Sequence, residues 1–143
     1  MKNNNWLKYF LYAVVLICYI TLSDKIIVFL NNQYYHLKIS TFLLLLGKTI
    51  IFIVVGLLLG LESLILETRK EGKWRVNLPK VIFLGLASLY FSIGTFIYYY
   101  CPIVFVQVTL CYPIRYFLDG NFLIVFQIIL GYTICTSLIK IKH

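Results

Sequence analysis

The chain has 143 residues, of which 62% are hydrophobic and only 13% charged, and its mean hydropathy is +0.91. This composition excludes an ordinary water-soluble globular protein and is typical of a chain embedded in lipid. The formal net charge of +8 does not indicate nucleic-acid binding, because the cations lie in short segments beside apolar stretches and form no basic domain. Their placement instead indicates membrane topology and contact with anionic lipid head groups at the cytoplasmic face.

The first apolar stretch, residues 6–22, predicts a transmembrane helix. It follows Lys2 and Lys8, an order that also occurs in signal peptides, but no A-x-A cleavage site follows it. We therefore expect this helix to be retained. Residues 24–38 contain an apolar run too short to cross a bilayer, followed by the Asn31-Asn32 turn signal, so they predict an external loop lying on the membrane interface.

The second helix is predicted over residues 41–70. Ser40 or Thr41 can cap its start, and the sequence is apolar as far as Leu61. Beyond Leu61 the residues still favour a helix, and Gly72 is a suitable stop. About two helical turns should therefore project into the cytoplasm.

The third and fourth helices are predicted over residues 78–100 and 122–138. Asn77 provides a cap and Pro79 falls in the first turn, where its missing N–H has no cost. Between the two helices, residues 103–118 are interrupted by proline and contain only a short apolar run. This length suits a re-entrant or interfacial segment better than a full span.

The sequence thus predicts a single membrane domain over residues 1–143. Its fold class is an all-α integral membrane protein, a bundle of four transmembrane helices with a short re-entrant or interfacial segment between helices 3 and 4. A composition rich in Ile, Phe, Tyr, Asn and Lys suggests a bacterial source, and so a multi-pass protein of the cell membrane.

The distribution of basic residues predicts the orientation of this bundle. Nine of the thirteen Lys and Arg residues fall on the cytoplasmic side when both termini are cytoplasmic. They are Lys2, Lys8, Arg69, Lys70, Lys73, Arg75, Lys80, Lys140 and Lys142. If residues 103–118 crossed the membrane instead, five helices would result and the C-terminus would lie outside.

Two charged residues at the membrane are candidate functional groups. Lys48 lies within an apolar run, where it can extend its amine back to the external surface or turn inward to meet polar groups. The inward alternative predicts a polar cluster, formed by Lys48, Gln107, Arg115 and Asp119. Glu62 adjoins the membrane boundary and is a candidate proton-carrying carboxylate.

Small residues at helical spacing predict the packing faces of the helices. Gly56 and Gly60 form a GxxxG pair on helix 2, and a longer stripe on helix 3 comprises Gly85, Ser88, Ser92 and Thr95. We expect these two faces to pack against each other, with Gly131 and Cys135 as a weaker face on helix 4. Cys101 and Cys111 are a candidate disulfide, while the cysteine and histidine spacing predicts no metal site and no cofactor.

The sequence carries no recognisable enzymatic motif. The interpretation we favour is a non-enzymatic accessory or regulatory subunit of a membrane complex, whose partner is another membrane protein or a second copy of itself. A small transporter or channel subunit acting as an oligomer is the alternative. A membrane enzyme acting on lipid or envelope precursors is the third reading.

Overall fold

The computed structural model describes residues 5–100 and 122–141, with the side chains of Asn5, Thr95 and Tyr98 left aside. The described residues are mostly helical and form four helices and one two-stranded sheet. The chain divides into two compact units, Met1–Lys48 and Thr49–His143.

The first unit contains α1, Asn5–Tyr35, and the beginning of α2, Thr41–Thr68. The predicted end of the first helix at residue 22, with an external loop over 24–38, is wrong. The helix continues because no glycine or proline occurs before Gly47 and the apolar run from Ile26 to Leu30 keeps the helical pattern.

The end of α1 is a C-terminal cap built on a non-glycine residue. Leu37 has a φ of 55°, in the left-handed region. The N–H of Lys38 donates to the carbonyl of Gln33, and the N–H of Leu37 donates to the carbonyl of Tyr34. This is the Schellman arrangement, which usually places glycine where Leu37 lies.

Helix α2 runs to Thr68, two residues short of the predicted end. Ser40 caps it weakly, because its Oγ accepts from the N–H of Leu43 at 3.4 Å. Past the helix, Gly72 has a φ of 142°, a conformation that a side chain would disfavour, and the chain then enters strand β1, Lys73–Val76.

Helix α3 occupies residues 78–100 in three parts. It begins with the turn Leu78–Lys80, continues as a π-helical segment, Val81–Leu86, and ends as the α-helix Ala87–Tyr100. The side chain of Asn77 accepts from the N–H of Lys80, and Pro79 lies in the first turn, as the sequence predicts for a helix start.

Helix α4 spans Phe122–Thr136 and is followed by strand β2, Leu138–Ile141. The predicted helical end at residue 138 is therefore too late, because the last residues leave the helix to pair with β1. The two strands are antiparallel, with Lys73 opposite Ile141 and Val76 opposite Leu138. We call this pair the ribbon.

Within the second unit, α4 contacts both α2 and α3. A Cβ placed on Gly56 would lie 2.0 Å from the carbonyl oxygen of Ile128, and one on Gly131 would lie 2.1 Å from that of Ile53. The backbones of α2 and α4 therefore touch. On another side of α4, the rings of Phe91 and Phe126 stack with their centroids 4.2 Å apart.

Candidate functional site

The ends of α2, α3 and α4 meet the ribbon in a region that we call the basic end, residues 67–80 with 136–141. In this region lysine residues donate four hydrogen bonds to residues that are distant in the chain. Its charged residues are Glu67, Arg69, Lys70, Glu71, Lys73, Arg75, Lys80 and Lys140.

Lys140 attaches strand β2 to the end of α2. Its backbone N–H donates to Oε2 of Glu67 at 3.0 Å, and its Nζ donates to the carbonyls of Thr68 and Lys70 at 2.9 and 2.8 Å. The last carbonyls of a helix have no partner within the helix and carry the negative end of its dipole, so a cation stabilises them. The amine also lies 5.0 Å from the centroid of the Trp74 ring.

Glu67 is the acidic residue of the basic end that forms contacts with its lysines. Its side chain is 13% exposed and forms an ion pair with Lys70. The N–H of Lys140 and then the amine of Lys70 lower the pKa of Glu67 below its ordinary value, because both stabilise the carboxylate form. Glu67 lies past Leu61, beyond the apolar part of α2.

Lys80 lies where α3 begins and α4 ends. Its Nζ is 3.5 Å from the carbonyl oxygen of Thr136 and 5.2 Å from the centroid of the Tyr132 ring. Nearby, the N–H of Asn77 donates to the carbonyl of Ser137 at 2.8 Å, continuing the ribbon into the helix cap. The start of α3 is thus tied to the end of α4 by backbone and side chain together.

Within the described residues, no acid pairs with Lys73, Arg75 or Lys80. Lys73 and Arg75 are exposed on β1, and Lys80 is partly exposed. The positive charge of these three side chains is therefore available to an anion from outside the described chain.

The polar cluster predicted around Lys48 lies largely outside the described residues. Gln107, Arg115 and Asp119 are all there, so the cluster stays a prediction. Lys48 itself is partly exposed, and no hydrogen bond or ion pair is found for it in the described part of the chain. The candidate disulfide, Cys101 with Cys111, also lies outside that part.

The remaining candidate residues have clear positions. Glu62 is exposed on α2, with no ion pair among residues 5–100 and 122–141. The α2 glycines meet α4, since a Cβ on Gly60 would lie 2.6 Å from that of Cys135. Both α2 and α3 contact α4, and the expected packing of the α2 and α3 faces against each other stays a prediction.

The α3 stripe is buried at Ser88 and Ser92, which are 1% and 3% exposed. The hydroxyl of Ser88 donates to the carbonyls of Leu84 and Gly85, at the end of the π-helical segment, where the backbone is wider than an α-helix. For the hydroxyl of Ser92, the described part of the chain offers no hydrogen-bond partner. The side chain of Thr95 is not among those described.

The buried side chains of Gln127, Thr133 and Thr136 on α4 donate hydrogen bonds within the second unit. Gln127 is 7% exposed and donates from Nε2 to Oγ1 of Thr49 at 3.1 Å. Among the described residues, no group of His, Cys, Asp and Glu could hold a metal ion. Cys18 is exposed and Cys135 buried, and neither forms a disulfide within residues 5–100 and 122–141.

Sequence reasoning placed Glu67 and Lys140 on the correct chain segments but missed their contact. The signal that could have found it is that KWRV and LIKI each follow a helix and contain β-branched or aromatic residues, which favour strands. Comparison with protein-family models, curated proteins and solved structures finds no match.

Proposed function

We propose that this chain is a small multi-pass membrane protein that acts as a non-enzymatic accessory or regulatory subunit of a membrane complex. Two of its described helices, Trp6–Tyr35 and Thr41–Thr68, are long and apolar enough to cross a membrane. Large apolar side chains are exposed along the helices, among them Trp6 at 91% and Phe83 at 76%. Such exposure is unfavourable in water and ordinary in lipid or against another membrane protein.

One observation carries the accessory role, the direct backbone contact between α2 and α4. Gly56 and Gly131 leave no space for a side chain between these helices, and therefore none for a solute. In addition, the buried polar residues described are all uncharged serine, threonine and glutamine. A packed interior without a buried charge favours a structural or regulatory role over transport or catalysis along this seam.

The ribbon supports the proposed topology. Pairing of β1 with β2 requires the segment after α2 and the segment after α4 to lie on the same side of any membrane. An even number of crossings between them satisfies this requirement, as in the version with four transmembrane helices. The basic residues of the ribbon favour a cytoplasmic location for both segments under the positive-inside rule.

The accessory role is tested by affinity purification of the tagged chain from native membranes in mild detergent. We expect at least one membrane protein to be recovered in a constant ratio with the chain, and not with a tagged control membrane protein of similar size. Repeated recovery of the chain alone, as a monomer, would contradict the proposal.

A transporter or channel subunit is the second candidate, favoured by the partly exposed Lys48 without a described partner. Reconstitution into liposomes distinguishes the two functions, with Lys48→Leu as the test variant and Lys25→Leu as its control. If the accessory proposal is correct, the wild type conducts no more than empty liposomes. A flux that Lys48→Leu abolishes and Lys25→Leu preserves would establish transport instead.

A further inference from the structure

An apolar groove runs along the second unit between α3 and α4. Its volume is about 350 Å³, and its lining includes Val81, Gly85 and Leu89 from α3 and Leu130, Thr133 and Ser137 from α4. From Val81 to Leu89 the groove extends on the order of 10 Å along the helix. Its long axis therefore follows the direction of the two helices.

The groove has space at its floor because the residue there is a glycine. Gly85 has none, and a Cβ there would find its nearest neighbours at 3.6 Å on Val81 and 3.7 Å on Thr133. The glycine lies in the π-helical segment, whose wider turns displace the flanking side chains from α-helical positions. A small methyl group would fit at this position, but a larger side chain would extend into the groove.

The two hydroxyl groups that line the groove already donate their hydrogen bonds within the chain. The Thr133 hydroxyl donates to the carbonyl of Ile129 at 2.7 Å, and the Ser137 hydroxyl donates to that of Ile134 at 3.1 Å. Both are satisfied by the backbone of α4. The groove thus suits a hydrocarbon chain better than a polar ligand.

One end of the groove carries the positive charge of the basic end. Lys80 directly precedes Val81, and its amine lies over the carbonyl of Thr136, beside the groove residue Ser137. Lys73 and Arg75 add two cations on the adjoining strand, again without an acid partner among the described residues. An anion at the start of α3 would also meet the positive end of that helix.

We propose that this groove and Lys80 form a binding site for one anionic phospholipid. Its phosphate pairs with Lys80 and its acyl chain occupies the groove towards Leu89 and Leu130. An acyl chain fits inside a groove of about 350 Å³, whereas a helix about 10 Å wide, roughly 800 Å³ over the same length, does not fit inside it. The site requires the membrane location of this protein but is independent of the accessory role.

Native mass spectrometry of the purified protein in detergent tests the site. Phosphatidylglycerol and phosphatidylcholine with identical acyl chains are added separately and together, and the bound lipid is counted. Two variants address the two halves of the site, Lys80→Gln for the charge and Gly85→Leu for the groove. Lys25→Gln and Ala87→Leu are matched controls, because both positions are exposed and outside the groove.

We expect one phosphatidylglycerol per wild-type chain, held in preference to phosphatidylcholine. Lys80→Gln should reduce that preference roughly fivefold while some lipid stays bound. Gly85→Leu should abolish binding of both lipids. Neither control should change the number of lipids bound per chain. Circular dichroism of Gly85→Leu checks that the helices remain formed. If Gly85→Leu does not fold, Leu86→Trp replaces it, because residue 86 is exposed and its larger side chain fills the groove.

Equal retention of the two lipids by the wild type would overturn the proposal. So would unchanged binding in Gly85→Leu and Leu86→Trp, or a protein dimer in place of bound lipid. None of these results depends on whether a partner protein is recovered from native membranes, so the lipid site and the accessory role fail separately.

Discussion

At the scale of single residues, the most informative position is Leu37. Its φ of 55° is a conformation that costs a non-glycine residue roughly 1–2 kcal/mol. The side chain is 91% exposed in this structure, so it gains little packing in return. The hydrogen bonds of the cap therefore specify the end of α1, although leucine is poorly suited to the left-handed conformation at position 37.

Leu37→Gly should therefore stabilise the protein by about 1 kcal/mol, since glycine adopts this conformation without strain. Thermal unfolding in detergent, followed by circular dichroism at 222 nm, measures the effect. Tyr35→Gly is the control, because it places glycine at the last helical residue of α1, which has no left-handed conformation, and should destabilise. A destabilised Leu37→Gly would show that the side chain makes a contact that outweighs the strain.

Glu67 makes the stability of the folded chain depend on pH. Its pKa is lowered in the folded protein, so it contributes stability above the pKa of the unfolded chain. That contribution is lost as the pH falls through the lowered folded value, below the ordinary glutamate pKa of about 4.3.

We expect the difference in stability between wild type and Glu67→Gln to be largest near neutral pH and to shrink as the solution is acidified. Unfolding curves between pH 7 and pH 3 measure it. Glu71→Gln removes an exposed carboxylate without an ion pair in the described chain and should keep the wild-type profile. A constant difference across the range would mean that the contacts with Lys140 and Lys70 do not form.

At the scale of the elements, α2 and α4 pack with their backbones in direct contact. It depends on glycine at Gly56 and Gly131, because any Cβ there would overlap the backbone of the other helix. Small residues permit this approach, and in lipid such van der Waals contact is a main source of helix association.

Gly131→Ala should destabilise the protein by about 1–3 kcal/mol, because the helices must separate to admit the methyl group. Gly85→Ala is the matched control, since its methyl group has room and alanine favours the helix. Denaturant unfolding in the same detergent compares the two variants. Equal stability of both would show that α2 and α4 do not touch as described.

At the scale of the whole molecule, the main feature is an outward-facing apolar surface with few buried large side chains. The buried hydrophobic residues described are Leu44, Ile51, Val55 and Cys135, whereas exposed large apolar residues occur along all four helices. A soluble fold of this length would bury far more of them. The surrounding lipid, or a partner within it, is therefore part of the proposed folded state.

The proposed topology makes a prediction at this scale. Single cysteines at Lys73 and at Ile141, in a background without the native cysteines, should both react with a membrane-impermeant maleimide from the cytoplasmic side, since the two residues face each other in the ribbon. A cysteine at Lys38 should react from the opposite side. Reaction of positions 73 and 141 from different sides would contradict both the ribbon and the four-helix topology.

The sequence by itself determined the helical elements where local chemistry is sufficient. The start of α3 follows from Asn77 and Pro79, and the length of α2 from the apolar run to Leu61, the helix-favouring residues after it and the stop at Gly72. These signals act within one helical turn, so a single sequence contains them completely. The end of α1 was missed because two asparagines are weak turn signals without glycine or proline.

Only the tertiary structure decided the ribbon, the contacts of Lys140 and the choice of α4 as the partner of both α2 and α3. Strand pairing joins residues more than sixty positions apart, and several small-residue faces compete for the same neighbours. Local propensity does not rank such pairings, because their free energies depend on which backbones come together. The groove beside Lys80 arises in the same way, from a glycine whose neighbours on α4 are distant in the chain.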